Sequence, residues 1–282
     1  MWKTFALCDI FVLSLLLKNV YAAHPLCDFA QNTNMSKIDR LRNNRFAGWK
    51  CITGAETEEE ICDSWTNLEC HLGKVISIGL SNAGFNGTIP NSIGSLTSLR
   101  RLDLDSNNLH GTIPSSLGSL TRLNRLTLAV NSLTGTIPSQ LGKLHQLRML
   151  YFAHNNLTGT LPSSLAQLRK LNFLTVGHNR LSGSIPEAFG DSFVECTMEL
   201  NDNHFSGEIP RGLCNAYQLY TYGNDDLVNN CEGYCRANGD CDPVGILHDK
   251  YYGRKRHRSL RTIAMIVLTY LCLFCWSYVE QT

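Results

Sequence analysis

Apolar and polar positions follow a fixed 24-residue period through the middle of the chain. Within one unit, Leu123, Leu126 and Leu128 alternate with more polar residues. This spacing of two predicts a short strand with one buried face. The two inner apolar columns and the asparagine column that follows them are Leu102, Leu126, Leu150, Leu174 and Met198; Leu104, Leu128, Phe152, Val176 and Leu200; and Asn107, Asn131, Asn155, Asn179 and Asn203.

A second motif, Gly-X-Ile/Leu-Pro, keeps the same period. In the unit described above, Asn131 is expected to turn the chain, and its amide can satisfy buried backbone groups. Gly135 and Pro138 then predict a tight bend and an extended segment. One such unit cannot bury its own apolar face, so stacked units forming a solenoid are predicted. The motif occurs at Gly87–Pro90, Gly111–Pro114, Gly135–Pro138, Gly159–Pro162, Gly183–Pro186 and Gly207–Pro210.

The segments Leu133–Pro138 and Leu157–Pro162 read Leu-Thr-Gly-Thr-Ile/Leu-Pro. This pattern resembles the plant-type leucine-rich repeat over about residues 62–213. The resemblance implies a right-handed α/β solenoid of about six 24-residue repeats with disulfide-capped ends. It also implies a parallel β-sheet on the concave face and an extra strand from the Gly-X-Ile-Pro segment. Proteins with this repeat include receptor-kinase ectodomains, receptor-like proteins and polygalacturonase-inhibiting proteins, which use it for recognition and not for catalysis.

The two ends of the repeat array depart from the pattern. Ala83 occupies the asparagine column of the first unit, as expected for a terminal repeat. In the last unit, Ser192 and Glu195 replace apolar residues, so we expect the solenoid to end there.

The cysteines are expected to form disulfides in the caps at both ends of the repeat array, because an oxidising compartment favours disulfides over zinc. Cys62, Trp65 and Cys70 resemble the plant-type N-terminal cap, which implies a Cys62–Cys70 bridge. A second bridge is expected between Cys27 and Cys51, which flank the preceding segment. Five cysteines near the other end leave one unpaired, and Cys196 is expected to be free because it falls on a strand column; the pairing of the others stays open. These five are Cys196, Cys214, Cys231, Cys235 and Cys241.

The N-terminus is typical of a secretory signal peptide. Lys3 precedes the apolar run Ile10–Leu17, and Val20 and Ala22 suit cleavage after residue 22. An uncleaved signal anchor is the alternative, and it would also place the following residues outside the cytosol. Exported chains carry glycans on Asn-X-Ser/Thr triplets, which predicts glycosylation at three sites. They are Asn34, Asn86 and Asn156.

Near the C-terminus, the uncharged apolar run Ile263–Val279 follows a basic cluster at 254–261. We expect a single membrane span, since seventeen apolar residues are just long enough. The basic cluster would then lie outside, against the positive-inside tendency. A glycolipid-anchor signal and proteolytic release at the cluster therefore stay open. The expected organisation is a signal peptide (1–22), an N-terminal cysteine cap (23–74), repeats (75–213), a C-terminal cysteine cap (214–243), a basic linker (244–262) and a transmembrane helix (263–279).

The side chains between the core leucines are expected to line the concave sheet and to bind a ligand. Aromatic and apolar residues beside charges are typical of an interaction site, although ordinary cross-strand pairs would give the same pattern. His154, His178 and Asp202 share one column, but no fourth ligand is evident and no metal is expected. The candidate ligand-binding residues are Arg101, Asp103, Asp105, Arg125, Met149, Tyr151, His154, Phe173 and His178.

Together these features predict an extracellular binding protein that needs no cofactor. A net charge of +1 gives no reason to expect nucleic acid, and no phosphate-binding loop, metalloprotease motif or activated serine suggests an enzyme. The leading hypothesis is a membrane-anchored receptor-like protein or co-receptor without its own kinase. It would bind a protein, peptide or glycan and need a signalling partner. The alternative is a secreted or cell-wall inhibitor or adhesion protein.

Overall fold

The computed structural model describes residues 25–33, 61–62, 67–193 and 195–231. The chain divides into two compact units, 1–230 and 231–282, and every described strand lies in the first. Within the described residues, no helix is both long and apolar enough to cross a membrane. The predicted signal peptide, Asn34, Cys51, the basic linker and the run Ile263–Val279 lie outside the described residues.

Seven parallel strands and one antiparallel strand form the larger sheet. The antiparallel strand β1 opens the sheet, and the others follow at one strand per repeat in the order β1-β2-β4-β6-β8-β10-β12-β14. This parallel stacking confirms the solenoid that the 24-residue period predicts. The strands are β1 (Leu68–His71), β2 (Lys74–Gly79), β4 (Arg101–Asp103), β6 (Arg125–Thr127), β8 (Met149–Tyr151), β10 (Phe173–Thr175), β12 (Thr197–Glu199) and β14 (Gln218–Tyr220).

The extra strand of each repeat builds a second, seven-stranded sheet in the order β15-β13-β11-β9-β7-β5-β3. In β7 and β9 it ends at the repeat glycine, so it lies mostly before the Gly-X-Ile-Pro segment that was expected to form it. Its strands are β3 (Asn86–Thr88), β5 (Asn108–Thr112), β7 (Ser132–Gly135), β9 (Asn156–Gly159), β11 (Arg180–Gly183), β13 (His204–Glu208) and β15 (Asp226–Val228).

Short helical turns carry the chain from the second sheet back to the first. Five of the six repeat prolines precede a 3₁₀ turn whose central leucine or isoleucine is buried, and four of these five have an extended backbone. Helix α1 (Pro25–Asn32) lies before the sheets, and helix α2 (Phe189–Ser192) replaces the 3₁₀ turn of one repeat. The 3₁₀ turns are Asn91–Ser95, Ser115–Ser119, Ser139–Lys143, Ser163–Gln167 and Arg211–Asn215.

The asparagine column forms a ladder that satisfies the backbone at each turn of the solenoid. Asn179 Oδ1 accepts from the Leu157 amide of the preceding repeat at 3.0 Å. Its Nδ2 lies 3.0 Å from the carbonyl oxygens of Phe152 and Val176. Since an unpaired buried backbone group is costly, this side chain locks one repeat to the next. The same bonds recur at Asn107, Asn131, Asn155, Asn203 and Asn224.

The repeat glycines allow the close packing of the second sheet. Gly135 has a φ of +75°, and a Cβ atom there would lie 2.9 Å from Cγ2 of Thr112 in the previous repeat. Gly159 has a φ of +77° and meets Thr136 in the same way at 2.8 Å. Both the left-handed backbone and this contact exclude a side chain, which explains why glycine recurs on the 24-residue step.

Both sheets continue past the repeat that carries Ser192 and Glu195, where the array was expected to end. Phe189 and Phe193 are buried there, with ring centroids 4.9 Å apart, and they fill the core in place of leucines. Strands β14 and β15 then add one further turn after residue 213. Asn224 is the last asparagine of the ladder and follows Asn203 by 21 residues instead of 24. This repeat is therefore present in the fold although the 24-residue period does not reveal it.

The Cys62–Cys70 bridge and the free Cys196 are confirmed, whereas the partner of Cys27 lies outside the described residues and its predicted pairing stays a prediction. Cys62 and Cys70 form a disulfide with their Cα atoms 5.9 Å apart. Cys27, Cys214 and Cys231 are also disulfide-bonded. Cys196 carries a free, buried thiol, and burial raises its pKa to about 12. It therefore behaves as a small core residue and is a poor nucleophile.

We predict that Asn179→Ala destabilises the solenoid by about 3 kcal/mol, because it removes the partner of the Leu157 amide and one of the two ladder bonds to each of the carbonyls of Phe152 and Val176. Urea unfolding of the full chain measures the change. Asn172→Ala, which removes an exposed asparagine, is the matched control and should cost less than about 0.5 kcal/mol. Equal effects of the two substitutions would contradict the role assigned to the ladder.

Candidate ligand-binding surface on the concave sheet

The larger sheet aligns the predicted ligand-binding residues in two neighbouring columns. Met149 pairs with Phe173, and Tyr151 pairs with Thr175, as the period predicts. Neighbouring strands lie about 4.8 Å apart, so side chains in one column touch across repeats. The first column runs Arg101, Arg125, Met149, Phe173, and the second runs Asp103, Thr127, Tyr151, Thr175.

Arg125 lies at the centre of this surface and joins its charged and apolar parts. Its Nη2 lies 3.9 Å from Oδ2 of Asp103, and its Nη1 lies 3.5 Å from the sulfur of Met149. Its guanidinium carbon also lies 5.8 Å from the ring centroid of Tyr151, within range for a cation–π contact. The Nε of Arg125 is buried without a hydrogen-bond partner, so one donor stays unsatisfied in the free protein.

Asp103 is the anchor that positions the two arginines. It is only 6% exposed, and it accepts hydrogen bonds from Ser81, from Thr127 at 2.8 Å and from Arg101 at 3.2 Å. Burial alone would raise the pKa of Asp103, but these bonds outweigh it and hold the pKa below its ordinary value. Asp103 thus has its acceptor atoms occupied and serves mainly to orient Arg101 and Arg125.

An aromatic pair forms the apolar part. The rings of Tyr151 and Phe173 meet edge to face, with centroids 6.3 Å apart and planes at 87°. Both side chains stay half-buried, because the concave sheet covers one side and leaves the other open. Burial raises the pKa of Tyr151, so its hydroxyl is neutral and available as a donor at neutral pH. We call Arg101, Arg125, Met149, Tyr151 and Phe173 the concave patch.

The carboxylate of Asp105, another predicted ligand-binding residue, is hydrogen-bonded to the backbone. Its Oδ1 accepts from the Ala129 amide of the next repeat at 2.7 Å. Burial, together with the charge of Asp103, raises the pKa of Asp105. This carboxylate therefore links neighbouring repeats and is less free to meet a ligand than its place in the sequence suggests.

The two predicted histidines form a separate cluster, in the column just before the ladder asparagines. His154 and His178 are exposed and stack with their ring centroids 4.1 Å apart. His178 Nδ1 lies 3.3 Å from Oδ2 of Asp202, and Asn201 Nδ2 donates to His178 Nε2 at 3.3 Å. Burial and the neighbouring His178 lower the pKa of His154. His154 is therefore neutral at neutral pH, so it offers a hydrogen bond and not a charge.

This histidine column has a backbone conformation that few residues adopt. The φ angles of Val130, His154, His178 and Asp202 lie between 52° and 55°. Val130 is β-branched and still 49% exposed, so neither its side chain nor burial favours the left-handed backbone. Asn82 has the same conformation, with a φ of 51°, although Ala83 follows it, so the turn itself and not a ladder asparagine sets this backbone.

Comparison with known proteins now fixes the family. The leucine-rich-repeat family model matches residues 97–157 and 121–181. A chain of the BIR3–SERK2 complex from Arabidopsis thaliana is 32% identical, with 64% of this chain and 94% of that chain covered and a TM-score of 0.51. The chain is a plant-type leucine-rich-repeat protein.

Other solved structures show how broadly this repeat is used. PEPR1 in complex with AtPEP1 is 34% identical over 70% of this protein, with a TM-score of 0.59. A plant ice-binding protein is 26% identical over 72% of it, also with a TM-score of 0.59. The leucine-rich-repeat protein spans 28% of the PEPR1 chain and 66% of the ice-binding chain. No curated protein sequence matches it significantly.

The leucine-rich-repeat protein carries further concave residues that the sequence pattern did not single out. Strand β12 places Glu199 next to Thr175, and β14 places Tyr220 next to Glu199. Tyr222 is 41% exposed. The signal that could have revealed these tyrosines is Asn224, which follows them as the other ladder asparagines follow their strands. In the described part of the protein, no group of three His, Cys, Asp or Glu side chains is placed to hold a metal.

We predict that the stability cost of Asp103→Asn depends on pH. Because the folded pKa of Asp103 lies below its ordinary value of 3.8, ionised Asp103 stabilises the fold at neutral pH. This contribution is lost as the pH falls through the folded pKa. The variant should therefore unfold more easily than the wild type at about pH 7, and the gap should narrow below about pH 4. Urea titrations at both pH values measure it, and a gap that stays constant would rule out the ion-pair role of Asp103.

Proposed function

We propose that this protein binds a peptide or an extended protein segment outside the cell through the concave patch. One arrangement of the described residues supports this. The concave patch places a cationic arginine beside adjoining apolar and aromatic side chains. Such side chains supply most of the binding energy in protein interfaces.

The geometry also favours a particular ligand chemistry. Arg101 and Arg125 share one carboxylate, Asp103, so the three together keep a positive charge. An acidic group on the ligand would pair with this charge. An apolar ligand side chain would pack on Met149 and Phe173 alongside it. We therefore propose a ligand with an acidic and an apolar residue close together.

The similar proteins agree with this assignment at a coarser level. One similar structure contains PEPR1 with AtPEP1, and another is the BIR3–SERK2 complex, so related solenoids occur in complexes with partners. The ice-binding relative shows that the repeat alone does not decide the ligand. The concave patch is therefore the observation that carries the proposal.

Glycans would leave this surface open. Both described acceptor sites open strands of the second sheet, with Asn86 exposed at the start of β3 and Asn156 half-buried at the start of β9. Glycosylation at these positions is part of the proposal. It would cover the second sheet and direct macromolecular partners to the concave side.

Membrane attachment through Ile263–Val279 also belongs to the proposal, with a secreted form as the alternative. Cell fractionation separates the two. Detergent-dependent extraction of the full chain supports the anchored receptor-like protein. A soluble form that ends near Arg258 supports the secreted one.

We predict that Tyr151→Ala combined with Phe173→Ala weakens ligand binding at least about tenfold without unfolding the solenoid. The probe is a displayed library of random twelve-residue peptides, selected on the full-length wild-type protein. Selected peptides should be enriched in an acidic residue beside an apolar one.

The control for this experiment is Tyr217→Ala, which removes an exposed tyrosine outside the concave patch. Its affinity for the selected peptides should match that of the wild type. Selected peptides that bind the double variant as tightly as the wild type would exclude the concave patch, and a library that yields no binders would count against a peptide ligand.

A further inference from the structure

Exposed cationic side chains gather on the turns that lead into the concave strands. Between residues 97 and 172 the chain has eight lysines and arginines but only two acidic residues, Asp103 and Asp105. Both acidic residues belong to the concave sheet. Six of the cations are exposed on the turns, and we call them the basic ridge: Arg100, Arg122, Lys143, Arg148, Arg169 and Lys170.

Backbone ladders set the spacing along the basic ridge. The amide of Asn124 donates to the carbonyl of Arg100 at 2.8 Å, and the amide of Arg148 donates to that of Asn124 at 2.8 Å. Arg100 and Arg148 are therefore two strands apart, which is about 10 Å. Arg122 and Lys170 are likewise separated by Gln146, which accepts from Lys170 Nζ at 2.6 Å. Two interleaved rows of charge thus follow the solenoid axis.

The charges of the basic ridge are not neutralised by neighbouring carboxylates. In the part of the chain that the structure describes, ion pairs involve Arg101, Arg125 and His178, and none involves the ridge. Arg169 and Lys170 bond only to neutral oxygens. Because like charges in a row add their potentials, the ridge attracts anions along its whole length.

The protein's near-neutral net charge conceals this feature. Residues 187–226 contain eight acidic side chains, and Arg211 is the one lysine or arginine among them. Positive and negative charge are therefore segregated along the chain. The positive section coincides with the most regular repeats, where the spacing between charges is most constant.

The form of the basic ridge indicates which anion it fits. Of the exposed large apolar residues, Leu72, Val130, Tyr217, Tyr222 and Val228, none belongs to it, so it lacks the anchor that a protein interface requires. It also lacks aromatic side chains on which nucleic-acid bases could stack. We propose that the basic ridge binds a linear anionic polysaccharide, whose regularly spaced charged groups match charges repeated along one axis.

Binding there would be independent of the concave patch. The ridge side chains lie on the turns, whereas Tyr151 and Phe173 lie within the sheet. A polysaccharide on the ridge would hold the protein in an extracellular matrix while the concave sheet remained open. This inference goes beyond the peptide-binding proposal, and either can fail without the other.

The test compares the full chain with two double variants on immobilised polymers. Arg122→Gln with Arg148→Gln removes two ridge charges, and Arg180→Gln with Arg211→Gln removes two exposed charges elsewhere. The polymers are polygalacturonate, which carries carboxylates, dextran sulfate, which carries sulfates, and neutral dextran. Double-stranded DNA is added as a polyanion that is not a polysaccharide.

We expect the wild type to bind polygalacturonate or dextran sulfate, and which of them it prefers identifies the charged group. At low salt the ridge variant should bind about tenfold more weakly, whereas the control variant should bind within about twofold of the wild type. Added salt should weaken wild-type binding steeply. Tyr151→Ala with Phe173→Ala should have no effect.

Three results would overturn the inference. One is wild-type affinity for dextran as high as that for the charged polymers. A second is equal loss in the ridge and control variants, which would indicate a response to net charge alone. A third is tighter binding to DNA than to either charged polysaccharide. Matching thermal unfolding of both variants and the wild type shows that folding is not the cause of any loss.

Discussion

From the second repeat onward, each turn of this solenoid depends on how one asparagine side chain satisfies its backbone. A chain that coils once per repeat leaves amides and carbonyls inside the turn without sheet or helix partners. The side-chain amide of Asn155 pairs with three such groups. Its oxygen accepts from the Leu133 amide, and its nitrogen donates to the carbonyls of Leu128 and Phe152. Because the bonds to Leu133 and Leu128 reach the preceding repeat, the side chain fixes the register of consecutive repeats as well as closing the turn. Hydrogen bonding in the core thereby determines which side chains become neighbours on the surface.

This register frees the surface to vary. Leucine columns and the asparagine ladder use the inward positions, so outward positions can carry any chemistry without disturbing the core. On the concave sheet, the outward positions place Asp103 in contact with two arginines and the ring of Tyr151 against that of Phe173. On the turns, outward positions align cations, and the second sheet carries both described Asn-X-Ser/Thr triplets. One scaffold thus presents separate faces whose functions need not interfere.

The sequence period predicts much of this arrangement. It places Met149 beside Phe173 and Tyr151 beside Thr175, because equivalent positions in stacked repeats must be neighbours. It does not predict contacts that depend on rotamers, such as the edge-to-face meeting of Tyr151 with Phe173 across columns. Nor does it reveal that Asp105 is held by the Ala129 amide. Composition and spacing cannot show how a side chain divides its bonds between a neighbour and solvent.

The end of the array was harder to predict for a related reason. Periodicity detects repeats of equal length, and the last turn is three residues shorter, with Asn224 following Asn203 by 21. The fold tolerates the shorter turn because the asparagine still reaches the Phe205 amide at 2.9 Å. A buried aromatic pair, Phe189 and Phe193, likewise replaces leucines in the repeat before it. What persists is the hydrogen-bonding function of the ladder and the filled core, and not the length of the unit.

Native-state hydrogen exchange tests most directly whether the asparagine ladder holds the solenoid together. The amides of Leu133, Leu157 and Leu181 donate to ladder side chains. If the ladder is the structural constraint, these amides exchange only through the same global opening as the amides at the centre of the larger sheet. Rapid exchange at the three leucines, while the sheet amides stay protected, would contradict the account.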